Sequence, residues 1–142
     1  MSIASNLAGK AISISKTTAP HAASYPFTSL FNISHGHAVS LTLEKFLKFN
    51  FINSNKARCD FNLKLRYKNI FNIFGVKNII ELENSIIEIK KKAKLESNFW
   101  KLKINLKSNV DKLIEGINVL RLKNNPIDLS KKDIKTMLLI SN

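Results

Sequence analysis

Apolar residues recur along this chain at intervals of three and four, and almost nowhere at intervals of two. Ile3, Leu7, Ala11 and Ile14 share one helical stripe, and Ile79, Leu82, Ile86, Ile89 and Ala93 share another. No segment keeps the strict alternation of a half-buried strand over a useful length, so the pattern predicts an all-α domain. A first helix runs from Ser2 to Ser15. A second starts after Thr17 or Thr18 and ends near Asn32, with Pro20 in its first turn, where an amide proton has no intrahelical partner anyway. Pro26 falls inside that helix, removes one hydrogen bond and crowds the carbonyl four residues back, so a kink or break is expected between Ala22 and Tyr25.

Beyond it, Ser34 is placed to cap a third helix from His35 to about Lys48, and 50–60 reads as a loop. Helices are expected at 61–73, 78–94 and 109–117; Ser108 and Asp111 are spaced as a capping box for the last, and Gly116 stands near its end. Asn124, Asn125 and Pro126 interrupt the chain. Ser130 and Asp133 then open a terminal helix to about Ile140.

A length of 142 residues suits one domain, taken as 1–142, with a core of its own. With 44% hydrophobic and 23% charged residues the composition is that of a soluble globular protein. No apolar run approaches the roughly 20 residues of a membrane-spanning helix. The first fourteen residues carry only Lys10 and lack the basic start of a secretory signal, so a cytoplasmic address is expected. The single cysteine, Cys59, excludes an internal disulfide, fits a reducing compartment, and has no basic and histidine cluster around it to make it reactive.

The net charge of +13 raises a nucleic-acid or acidic partner, which would make the chain a small basic helical binding protein. Its placement argues against that reading. Lysines are scattered from Lys45 to Lys135 among many Asn and Ile residues, a bias that A+T-rich codons produce, and no aromatic stacking platform accompanies them. The densest run, 90–94, closes a helix that starts with Glu81 and Glu83, where cations complement the negative end of the helix dipole. It reads as a solvated face.

The chemistry to explain is elsewhere. Two of the three histidines, His21 and His35, stand fourteen positions apart at the starts of consecutive helices. A metal ligand must be a neutral imidazole, and the partial positive charge of a helix N-terminus disfavours the protonated form. Both can therefore face one cleft. His37, two steps after His35, is turned by about 200° and should not bind the same ion. Tyr25 shares the His21 face one turn on. Spacing alone leaves surface or core histidines as the alternative, since two ligands do not complete a site. Gly9, Gly36, Gly75 and Gly116 are scattered singly and make no phosphate loop, and no nucleophile elbow is present.

The stretch from Ala4 to Leu43, with TTAPHAASYPFTSLFNISHGHAV at its centre, resembles the iron-containing alcohol dehydrogenase family around its last two metal-ligand histidines, and the histidine spacing agrees. FLKFN at 46–50 is similar to the segment that comes next, and INVLRLKNNPIDLSKKDIKTMLL from Ile117 resembles the family's closing loop and helix, with Asn118, Arg121, Asn124, Asn125 and Pro126 in matching places. The wording around the histidines is similar to a branch that includes phosphonoacetaldehyde reductases.

The resemblance implies a fold like that of dehydroquinate synthase. A complete member has an N-terminal α/β domain binding NAD(P) and an all-helical domain holding a divalent metal by one aspartate and three histidines. His21 and His35 match the last two histidines, while His37 and Tyr25 are candidates to line the pocket or tune its protons. The aspartate, the first histidine and the glycine-rich loop match nothing in this sequence. The resemblance thus implies half of an Fe²⁺ or Zn²⁺ site and no NAD(P)-binding residue. It also implies a small aldehyde or alcohol as substrate of the complete enzyme, and an N-terminal nucleotide-binding half as partner. A truncated, split or decayed gene product with no dehydrogenase activity by itself is the expectation.

Overall fold

The computed structural model describes residues 2–140, and it is helical as the pattern predicts. α1 (Ser2–Ser15), α2 (Ala19–Phe31), α3 (His35–Ser40), α4 (Leu43–Ile52), α5 (Leu63–Phe74), α6 (Ile79–Lys92), α7 (Leu106–Glu115), α8 (Val119–Leu122) and α9 (Lys131–Leu139) succeed one another, with a 3₁₀ turn at Ser54–Lys56. No strand occurs among the described residues. Asparagine supplies four of the five side-chain caps among the described helices: the side chains of Asn62, Asn78, Asn105 and Asn118 accept backbone amide protons at the heads of α5, α6, α7 and α8. Ser130 and Asp133 form the expected reciprocal capping box on α9.

Several expectations are corrected. Pro26 does not break α2, which runs unbroken through it. The proline leaves the Ala22 carbonyl without its helical donor, and the backbone N–H of Asn118 approaches that carbonyl at 3.4 Å. The predicted third helix is two: the chain turns at Leu41 and Thr42, and α4 continues to Ile52, into the expected loop. Ser34 precedes α3 without a side-chain cap bond. α7 begins at Leu106 under Asn105, not at a Ser108–Asp111 box. The four-residue α8 has no counterpart in the periodicity because one helical turn is too short to display a period.

Two apolar clusters hold the helices together. One gathers Ala19, Ala22, Ala23 and Phe27 of α2 with Ala38, Leu41 and Phe46, with Phe99 and Ile104 of the 99–104 turn, and with Val110, Leu113, Ile134 and Leu138 of α7 and α9. The alanines let other elements approach α2 closely, and at Gly116 an added Cβ would stand 2.9 Å from the Pro26 Cβ. The other cluster is built from Leu63, Tyr67 and Phe71 of α5, Ile79, Leu82 and Ile86 of α6, and Ile127. α4 lies between the two, giving Phe46 to the first and Leu43, Leu47 and Phe51 to the second.

The stripe expected on α6 departs from the structure at its end. Ile89 is exposed, and the neighbouring Lys90 is buried and pairs with the buried Glu44 of α4 at 2.9 Å. Lys90 also donates to the Ser40 carbonyl. The run at 90–94 is therefore a solvated face only in part. Buried Asn50 and Asn125 exchange side-chain amide hydrogen bonds at 3.0 and 2.8 Å, tying the end of α4 to the loop before α9.

Candidate metal centre

The site is made by a chain reversal. Asn32 closes α2 in the left-handed conformation, φ 53°, its N–H donating to the Thr28 carbonyl, and Asn among non-glycine residues tolerates that geometry best. Residues 32–34 then run back along α2, so that α3 opens beside its first turns. This brings His35 against residues 21 to 25 instead of leaving it beyond Phe31.

His21 Nδ1 and His35 Nε2 meet at 3.1 Å, with ring centroids 5.2 Å apart. Two nitrogens each ~2.0–2.1 Å from one metal ion are at most ~4.2 Å apart, so this separation suits a shared ion. His21 is half-buried and His35 exposed. Burial lowers the His21 pKa below its ordinary 6.5, and the positive charges of His35 and Arg121 lower it further. A neutral imidazole is the form a metal ligand needs. The donor chemistry fits a borderline divalent cation such as Fe²⁺ or Zn²⁺. Among the described residues, no group of three or more His, Cys, Asp or Glu side chains is placed to hold an ion, so the pair has no third ligand within them.

Neighbours fix the pair. Buried Ser24 donates from Oγ to the His21 carbonyl at 2.8 Å and lies 3.2 Å from His35 Nδ1. The Tyr25 ring stands 5.9 Å from the His35 ring, and the Arg121 guanidinium lies 5.4 Å from the Tyr25 centroid. Arg121 donates to Thr17 Oγ1 at 2.9 Å, and Asn124 donates to the Thr17 carbonyl at 3.2 Å. The closing segment thus clamps the entry to α2. His37 is held elsewhere: its Nε2 is 2.6 Å from the Glu96 carbonyl, an acceptor only, so Nε2 carries the proton there. Sequence reasoning does not single out Ser24 or Thr17. The available signal for Ser24 is its place one helical turn after His21, which puts both on one face.

A family model described as "Fe-containing alcohol dehydrogenase family, C-terminal" matches residues 1–141. The chain belongs to this family. A phosphonoacetaldehyde reductase from Streptomyces viridochromogenes is 40% identical over 47 residues, 33% of this chain and 12% of that protein. The crystal structure of sulfoacetaldehyde reductase from Bifidobacterium kashiwanohense in complex with NAD⁺ superposes with a TM-score of 0.71 at 24% identity, covering 88% of this chain and 31% of that one. The chain therefore spans about a third of the solved enzyme's length, and the agreement is one of fold. The all-helical C-terminal part of a larger enzyme fold is what these likenesses establish.

Proposed function

We propose that this chain is the metal-holding part of an NAD(P)-dependent reductase of small aldehydes, with His21 and His35 as two of the metal's ligands. The observation that carries the reading is the 3.1 Å approach of His21 Nδ1 to His35 Nε2, produced by a chain reversal in a member of an iron-containing family. When bound, a divalent cation would polarise the substrate carbonyl so that it accepts hydride from the nicotinamide. The chain's own residues supply position: α2 and α3 aim the two imidazoles, burial keeps His21 neutral, and Arg121 with Asn124 holds Thr17 at the head of α2. Tyr25 lies beside the His35 ring.

The aspartate, the remaining histidine and the hydride donor would come from an N-terminal nucleotide-binding part not contained in this sequence. Without it the chain is inactive. Phosphonoacetaldehyde is the first substrate to try, on the strength of the stretch shared with the Streptomyces enzyme. Co-expression with a nucleotide-binding half encoded upstream, and then an assay of aldehyde-dependent NAD(P)H oxidation, tests the assignment. Association and metal-dependent turnover are expected, with turnover abolished by His21→Ala combined with His35→Ala. Absence of both association and turnover would overturn it.

A further inference from the structure

We propose that Ser24 is a positioning residue that fixes the His35 imidazole in its Nδ1–H form, leaving Nε2 bare toward His21. The proton count carries this. A serine hydroxyl has one proton and two lone pairs. The Ser24 proton goes to the His21 carbonyl across 2.8 Å, the ordinary length for an O–H···O bond within a helical turn. What remains on Ser24 Oγ is acceptor capacity, and the atom facing it at 3.2 Å is His35 Nδ1. That nitrogen is then the donor, and the ring's second nitrogen, Nε2, holds its lone pair.

Burial makes this arrangement selective. Ser24 is 0% exposed, so Oγ is shielded from water on that side of the ring, whereas the ring's Nε2 edge meets His21 Nδ1. Left without a partner, a histidine side chain prefers the Nε2–H form, which would cover the nitrogen that meets His21. A single hydroxyl therefore does two things: it anchors to the backbone of one histidine and sets the tautomer of the other. If His21 and His35 are ligands as proposed above, this is the tautomer that ligation through Nε2 requires, and a partner that holds the far nitrogen of a ligating histidine is commonly worth ~10–100-fold in metal affinity.

The test uses the full chain without metal. Long-range ¹H–¹⁵N spectra of ¹⁵N-histidine-labelled protein at about pH 8.5, above the ordinary histidine range, report which nitrogen of His35 carries the proton. Nδ1 is expected in the protonated range and Nε2 in the unprotonated range. A wild-type spectrum with His35 protonated on Nε2 overturns the proposal without any variant. In Ser24→Ala, checked for folding by circular dichroism and thermal midpoint, His35 should move toward the Nε2–H form, and Ser24→Thr should restore it. Unchanged nitrogen shifts in folded Ser24→Ala would also overturn it. Adding Zn²⁺ separates the two readings. If His35 depends on Ser24 but Zn²⁺ added to the complex with the co-expressed nucleotide-binding half leaves His21 Nδ1 and His35 Nε2 unmoved, the tautomer assignment stands and the ligand assignment falls. If both nitrogens respond, Ser24→Ala should weaken Zn²⁺ binding by ~10–100-fold.

Discussion

α1 and α2 are neighbours in sequence, nearly equal in length and similarly rich in apolar residues, yet they have opposite fates. α1 buries none of its residues, and Ile3, Leu7 and Ile14 are 77%, 60% and 85% exposed. α2 buries seven, among them Ala19, Ala22 and Phe27, and carries His21 at one end. The difference lies in the path the chain takes on leaving each helix. It leaves α1 through Lys16, in the left-handed conformation at φ 60°, and no described element returns to cover the α1 stripe. It leaves α2 through the Asn32 reversal, which lays α3 back along the helix, and α7 and α8 pack against α2 as well. A periodic stripe marks a face that can be buried; burial itself needs a partner surface.

The largest effect should come from contrasting a core side chain of α2 with an exposed apolar one of α1. Phe27 is stacked on Phe99 with ring centroids 5.8 Å apart and is 1% exposed, so Phe27→Ala should cost about 3–5 kcal/mol. Leu7→Ala should stay within about 0.5 kcal/mol. Urea denaturation of both variants measures the contrast, and equal losses would mean that α1 is packed in solution.

Lysines give a second pair. Lys90→Met leaves the Glu44 carboxylate buried without its cation, and the loss of a partner in such a pair costs about 3–5 kcal/mol, near the first effect. The double variant with Glu44→Leu should recover most of it. Lys10→Met, on exposed α1, should be near neutral. A double-mutant cycle by chemical denaturation resolves the coupling.

Glycines give a third. Gly116→Ala drives a Cβ into the Pro26 ring at 2.9 Å and should destabilise by about 1–3 kcal/mol. Gly9→Ala meets nothing within 4 Å inside α1 and should increase helicity, worth about 0.5–1 kcal/mol to that helix. Thermal midpoint tracks the first substitution and far-UV circular dichroism the second.

The smallest effect is the titration of His21. Its folded pKa lies below 6.5, so as pH falls through 6.5 the unfolded chain binds a proton that the folded chain resists. The contribution is present above the unfolded pKa and is lost as pH falls toward the folded one. Thermal midpoints should decline across that window, and His21→Gln should flatten the decline. An unchanged slope in the variant would assign the dependence to other groups.

The range of each interaction decides how much of the molecule is legible in the sequence. α1, the head of α2, the α9 capping box and the histidine spacing are set by contacts within a few residues, and all are readable. The continuity of α2 through Pro26 is not, because the Asn118 N–H that approaches the freed Ala22 carbonyl comes from far along the chain. Nor is the exchange of Ile89 for Lys90 on the buried side of α6, since a buried lysine is identifiable only with Glu44 in view. The division between α3 and α4 escapes the pattern because Leu41 and Thr42 carry no glycine or proline to mark a turn.

The same division holds at the site. The sequence by itself determined that the chain is helical, that it resembles a metal-dependent family, and that His21 and His35 are the residues to watch, since residue type and local spacing are sequence properties. Tertiary structure decided that the two rings meet at 3.1 Å, that buried Ser24 stands between the backbone of one and the ring of the other, and that His37 is held by the Glu96 carbonyl. Side chains converge only after the chain has reversed, and a helix stripe acquires its energy only when another surface displaces water from it.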